Sequence, residues 1–481
     1  MPFLESFSAN YPTLLCWDPN YTELNKTAQP YFNLLREAGI LHDTPEQLAL
    51  KLNEIYGDPL SWWISAEIQD AKNKFCNRFA KPGDDWAVGT KAAALAGLTT
   101  IIPFGEYNAD EKETLPQAID RWKDEARSKA LVDYSFHYIL SDTPYIIESL
   151  PEAIDMGVTS YKMFMTYDHR VSDSFIARVM DVVSSNGGIV QLHAENGDVI
   201  EHLMNKAMAE GRTKPTDFPG TCPPWAEAEA INRGILLGAM TNCPLYIVHL
   251  TTQLGLERIK EAQQQGQRVW TETCPQYLLL DETALEVLGP FAKIGPPLRP
   301  ADGVNQDSLW KGTSHGYISA IGSDHAPASS AMKELGWDNI FRSPNGDPIP
   351  FGAPSIETIV PLVFSEGVVK RNLPIWWMAR VLAENPARIF GLYPQKGVIH
   401  PGADADLLII DPNIEVTIRA EDHQSTTGYT PYEGWKVSGK PWLTMLRGKV
   451  LLNNGKLEQL PGSGKFVAAG SPIPPVAGRV M

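Results

Sequence analysis

The sequence predicts an α/β fold: a (β/α)8 barrel with one strand missing, preceded by a helical segment and followed by a small β-module. Three observations carry this. From about residue 85, short apolar runs alternate with stretches of 3.6-residue period. Polar residues collect at the C-terminal ends of those runs, where barrel enzymes place their chemistry. After about residue 395, alternating strands and turn residues replace the helical pattern.

The elements follow in order. In residues 1–82, "AQPYFNLLREAGI" and "TPEQLALKLNEIYG" read as amphipathic helices, and "DPLSWWISAEIQDAKNKFCNRFAK" as a third. Thr44 is a good N-cap for the second, with Pro45 at its first helical position and Gln47 completing a capping-box pattern. Residues 83–395 hold seven apolar runs: "TTIIPF", "VDYSFHYIL", "SYKMFM", "GIVQLHAE", "PLYIVHLT", "RVWTETC" and "YISAIGSDHA". Runs without polar alternation, separated by helices, imply a parallel sheet covered on both faces. Seven are too many for a simple flavodoxin-like sheet and one short of a closed barrel. In residues 396–465, "GADADLLIIDP" and "PWLTMLRGKVLLNNGKL" read as strands, with turn signals at Asp411–Pro412 and Asn453–Gly455. The Pro/Gly/Ala-rich tail, 466–481, reads as extended or disordered.

Composition narrows the function. The chain has 481 residues, 43% hydrophobic and 20% charged, with a net charge of −16. That acidity argues against nucleic acid or an anionic membrane as a partner. No apolar run approaches the roughly 18 residues of a membrane helix, and "MPFLESFSANY" lacks a basic signal-type region. The five cysteines are scattered without a CxxC pair, which suits reduced thiols and a cytoplasmic location.

Within "SYKMFMTYD" sits Lys162, in a strand apolar on both faces. A bare ammonium is seldom tolerated there. His193, His249 and the Asp324 of "GSDHAP" lie at the ends of other strands. Taken singly, each has a plain reading: a hydrogen-bonded histidine, a turn aspartate, a lysine reaching past the strand end. Together, on separate strands at one face, they point to a metal site, since imidazole and carboxylate are zinc ligands. A neutral buried amine can also take up carbon dioxide to form a carbamate, an anionic ligand with two oxygens.

"TSYKMFMTYD", "LHAENGD", "YIVHLTT", "TETCPQYL", "GSDHAP", "ENPARIFGLYPQKGVIHPGADADLLIIDP" and "TPYEGWKVSGKP" resemble the dihydropyrimidinase/hydantoinase family of cyclic amidohydrolases, from about Gly83 to about residue 465. The resemblance implies a metal-dependent amidohydrolase barrel that opens dihydropyrimidine or hydantoin rings with a zinc-activated hydroxide, and a homo-oligomer, tetramer or dimer. It implies that Lys162 is the carboxylated ligand bridging two zinc ions, with His193 and His249 on one. Asp324 would ligate the other and serve as general base. Tyr167 would stabilise the oxyanion, and the backbone of Gly295, where the family usually has serine, would contact the substrate ring. The first 80 residues are similar instead to the C-terminal end of surface-carbohydrate transferases, which puts a junction near residues 80–83.

One family feature is missing. The His-x-His pair of the first barrel strand should lie just upstream of "GDDWAVGT", yet none of the ten histidines is two positions from another. The remaining ligands lead to an expectation of about one zinc per chain. The alternative reading is a catalytically impaired, dihydropyrimidinase-like scaffold or fusion protein.

Overall fold

The computed structural model describes residues 6–7, 11–17, 29–79 and 84–476. The proposed junction at 80–83 and the last five residues of the tail lie outside the described residues. No helix among the described residues is long and apolar enough to cross a membrane.

Seven parallel strands form one sheet: β1 (Phe104–Gly105), β2 (His137–Ile139), β3 (Ser160–Phe164), β4 (Ile189–His193), β5 (Leu245–Ile247), β6 (Val269–Thr273) and β7 (Ala320–Ile321). Their spatial order follows the chain order from β1 to β7, as right-handed βα repeats require. No eighth strand joins β7 to β1 among the described residues. The sheet is thus an α/β barrel one strand short among the described residues, in agreement with the sequence.

Side chains alternate across each strand. One set (Tyr161 and Met163 on β3, Val190 and Leu192 on β4) packs against the outer helices in the main core. Those helices include Asp173–Ser185, Pro224–Thr241 and Gln253–Gln264. The other set points inward. At its lower level Ile189, Tyr246 and Trp270 pack around Ile389 and Phe390, with Ile102 at the margin. Phe390 lies 4.5 Å from the His137 ring and 5.0 Å from that of Tyr246. This apolar plug comes from the end of helix Asn385–Ile389, and the Asn385 side-chain amide donates to the carbonyl of Ser319, the residue before β7. The interior below the site is therefore packed.

Two strand runs differ from the sequence expectation. "TTIIPF" divides into Thr100–Ile101 and β1, and "VDYSFHYIL" into Asp133–Tyr134 and β2. Pro103 can give no ladder N–H, but its carbonyl accepts the His137 amide at 3.0 Å.

The N-terminal residues form helices Gln29–Glu37, Pro45–Ile55, Pro59–Trp63 and Ala66–Phe79 around their own small core of Phe32, Leu35, Trp63 and Phe75. The segment is not purely helical: Leu15–Cys16 pairs in parallel with Leu41–His42. The third expected helix is two. Trp63 is fully buried, and its carbonyl accepts the Gln69 side chain at 2.7 Å, so the chain turns there to bury the indole. Thr44 caps as expected, whereas Gln47 reaches back to the amide of Asp43 and not to that of Thr44.

The C-terminal module is an antiparallel sheet of β8 (Leu407–Thr417), β9 (Lys436–Leu446), β10 (Lys449–Asn453) and β11 (Lys456–Leu457). Asp411–Pro412 carries only a local Asx-type turn, the Asn413 amide donating to the Asp411 carboxylate at 2.9 Å, and does not end the strand as its dipeptide signal implied. β8 runs through it with a register shift between Asp411 and Glu415, and the edge position spares Pro412 a ladder bond. Lys396, 5% exposed, ties the module to the barrel through Asp133, Asp404 and Asp406 at 2.7, 2.9 and 2.7 Å, and Arg447 also pairs with Asp133. The tail from Phe466 lies extended under the barrel. Val467 donates to Tyr134, Ala469 to Gly157 and Gly470 to Gly391. Gly157 has φ +85°, and a Cβ there would collide with Ala468.

Candidate active site

Lys162 sits on the inward face of β3, 6% exposed, opposite Gln191 of β4. Its amine lies over two rings, 4.3 Å from the centroid of Phe104 and 4.8 Å from that of Phe164. Cation–π attraction is therefore part of what accommodates the charge in this strand. Burial pushes the amine below its ordinary pKa, opposed by Asp324, then Glu272 and Cys274. That direction enlarges the neutral fraction, the form able to take up carbon dioxide.

His193 closes β4 opposite Phe164. Its Nε2 lies 2.8 Å from Oε2 of Glu195, and its ring meets that of His249 nearly edge-on, with centroids 4.4 Å apart. His249 follows β5 with φ +39°. Burial holds both imidazoles well below the ordinary histidine pKa, with Lys162 adding to the effect on each, so both are neutral, the form that ligates metals. Tyr167, just past β3, has its ring edge-on to His193 at 4.9 Å and tilted against Phe351 at 4.8 Å, and its hydroxyl donates to Glu195 at 3.4 Å. Asp324 follows β7, and burial raises its carboxyl pKa against the pull of Lys162 and His325. Gly295 lies directly against the Tyr167 hydroxyl.

Tyr167, His249 and Asp324 all have left-handed backbone, φ +64°, +39° and +48°. Non-glycine residues seldom adopt it, and where held by their surroundings such residues cluster at functional sites. Three of them converge here, from three different strand ends.

Nδ1 of His249 is buried without a hydrogen-bond partner, an orphan that a ligand would satisfy. His193 lies beside it and Lys162 on the adjoining strand, a partial donor set. Among the described residues no group of three His, Cys, Asp or Glu side chains is arranged to hold a metal ion, so a carbamate on Lys162 would have to supply the third ligand.

The amidohydrolase family model matches residues 84–451. The chain belongs to the amidohydrolase family. A D-hydantoinase of Geobacillus stearothermophilus is 39% identical over 392 residues, covering 80% of this chain and 81% of that one. A D-phenylhydantoinase of Escherichia coli is 32% identical over 463 residues, covering 95% and 98%. The crystal structure of a dihydropyrimidinase from Brevibacillus agri superposes with a TM-score of 0.77 at 38% identity, covering 82% of this chain and 85% of that one. A second family model, LIC12162 family transferase, matches residues 2–91.

In this amidohydrolase, four functional neighbours were not singled out from the sequence. Glu195 follows His193 by two positions within "LHAENGD", and the same-face spacing of a strand was the available signal. Burial raises its carboxyl pKa to about 7. Glu272, inward on β6, is likewise raised to about 7 and accepts the Tyr246 hydroxyl at 3.0 Å. Phe104 and Phe351 carried no signal beyond their hydrophobicity.

Proposed function

We propose that the chain hydrolyses the ring amide of a small cyclic ureide, a hydantoin or a dihydropyrimidine. The observation that supports this best is the gathering of Lys162, His193, His249 and Asp324, from four strands, around one space that Tyr167 borders. His193 and His249, with Lys162 as its carbamate, would hold a zinc ion. Bound there, zinc would lower the pKa of water and polarise the ring carbonyl. Asp324 would take the proton of the attacking water and deliver it to the leaving nitrogen, a role helped by a carboxyl pKa that burial raises above its ordinary value. The Tyr167 phenol, kept protonated by burial, would donate to the developing oxyanion. A cytoplasmic homo-oligomer is part of the same reading.

The test is turnover of hydantoin and of dihydrouracil by the full chain, purified with zinc and bicarbonate. Slow ring opening that disappears in Lys162→Ala and His193→Ala is expected. Turnover indifferent to both substitutions would sink the proposal.

The second reading, an impaired amidohydrolase scaffold, is favoured by the absence, among the described residues, of an eighth strand and of any group of three His, Cys, Asp or Glu side chains arranged to hold a metal. Its signature is a folded, zinc-supplied protein that opens neither ring.

A further inference from the structure

We infer that Asp84 is a positioning residue for Asp324, acting through His325. The inference rests on the ring-opening reading for its catalytic meaning, but its structural content stands apart from it.

Asp324 has a left-handed backbone at φ +48°, which an aspartate holds only if its neighbours hold it. The segment around it is strapped on both sides. Before it, the Ser323 carbonyl accepts the Ser355 hydroxyl at 2.6 Å. After it, the Ala326 amide donates to the Ala353 carbonyl at 3.2 Å. His325 sits between these straps with both ring nitrogens engaged. Its Nδ1 receives the backbone N–H groups of Ser355 and Ile356, at 3.0 and 3.2 Å. Amides can only donate, so Nδ1 is the unprotonated nitrogen and the ring proton is on Nε2. Nε2 lies 3.1 Å from Oδ2 of Asp84, whose side chain is 1% exposed. The other carboxylate oxygen of Asp84 accepts the amide and hydroxyl of Thr426, at 3.0 and 3.2 Å.

Asp84 thus joins three parts of the chain far apart in sequence. It directly precedes Asp85, the N-cap of helix Trp86–Leu95. It fixes the tautomer and orientation of the residue after Asp324, and it anchors that residue to the 426 loop, which connects β8 and β9 of the C-terminal module. A carboxylate orienting a histidine beside a reacting group acts on position, and losing such a partner typically costs about ten- to a hundredfold.

The experiment compares the full-length wild-type chain with Asp84→Ala and Asp84→Asn. Histidine-ring nitrogen spectra should show His325 protonated on Nε2 in the wild type. In Asp84→Ala, amide exchange in residues 322–326 should rise at least about tenfold while β4 exchange stays unchanged. In the same variant kcat for ring opening should fall about ten- to a hundredfold with KM unaltered. Asp84→Asn, which keeps one acceptor oxygen for the Nε2–H of His325 but turns its NH2 towards the Thr426 amide, should recover part of both losses. Unchanged exchange in Asp84→Ala, a KM effect without a kcat effect, or an Nδ1-protonated His325 would each overturn the inference. If the wild type opens no ring, the proposed function fails, while the tautomer and the exchange rates still decide the role of Asp84. If Asp84→Ala does not fold, Thr426→Ala takes its place. Faster exchange at 322–326 is again the supporting result, and unchanged exchange the overturning one.

Discussion

The hydroxyl of Tyr167 lies in the space that a Cβ on Gly295 would occupy. Residue 295 is therefore small because the phenol is there, and not because its backbone needs positive φ, since Gly295 is not among the positive-φ glycines. The phenol reaches Glu195 across this space and packs against Phe351 as it does so.

Gly295→Ala should consequently displace the phenol. Overpacking of this kind costs about 1–3 kcal/mol. Denaturant unfolding is expected to show that loss, with a fall in kcat for ring opening because the oxyanion donor has moved. Stability and kcat both equal to wild type would show that the phenol does not depend on this gap.

Metal content should depend on Lys162. Elemental analysis of the wild type is expected to give about one zinc per chain, held by two imidazoles and one anionic ligand. Lys162→Ala removes the anion and leaves two neutral nitrogens, too few to keep zinc against buffer. Two tightly bound zinc ions in the wild type would mean that ligands are supplied from elsewhere in the chain.

Lys293 gives a pH signature. It is 2% exposed, its amine donates to the Ile349 carbonyl at 2.7 Å, and burial lowers its pKa to about 7. Its unfolded value is roughly 10.4. Between these values the unfolded chain holds a proton that the folded chain lacks, so the contribution of Lys293 to stability rises with pH, by at most about 1.4 kcal/mol per unit. Below about pH 7 both states are protonated and the penalty is constant. Lys293→Met should remove this slope, so its advantage over wild type is largest near neutrality and fades towards pH 10. An identical pH dependence for the two proteins would show that the amine titrates normally.

Lys396 is the tie between barrel and β-module. Lys396→Met leaves the buried carboxylate of Asp406 without its cation and Asp133 with Arg447 alone, a kind of change that costs up to about 3–5 kcal/mol. The loss should appear first as faster amide exchange in β9 and β10. The module is already vulnerable, with β8 an unpaired edge and Ile409 and Trp442 exposed beside it. Exchange there equal to that of β4, in the variant as in the wild type, would count against this.

The alternation of apolar runs with helical period determined the seven parallel strands and their order, because burial on both faces leaves a local record in composition. Lys162, His193, His249 and Asp324 were legible for a related reason: charged or titratable residues at the ends of such strands break the local rule, and their types are those that bind metal. Locally strong signals misled where a tertiary partner outweighed them. Asp411–Pro412 stays in a strand because β9 pairs around it, and the third N-terminal helix breaks because Trp63 has a core to enter. Asp84, Phe104, Glu195 and Gly295 acquire meaning only through residues distant in sequence or through the bend of the chain: Asp84 through His325 and Thr426, Gly295 through Tyr167, Phe104 through the amine of Lys162. The left-handed turns at Tyr167, His249 and Asp324 are of the same kind. Aspartate and histidine tolerate this backbone better than tyrosine, but no sequence signal marks these positions, and contacts from other strands hold the backbone there.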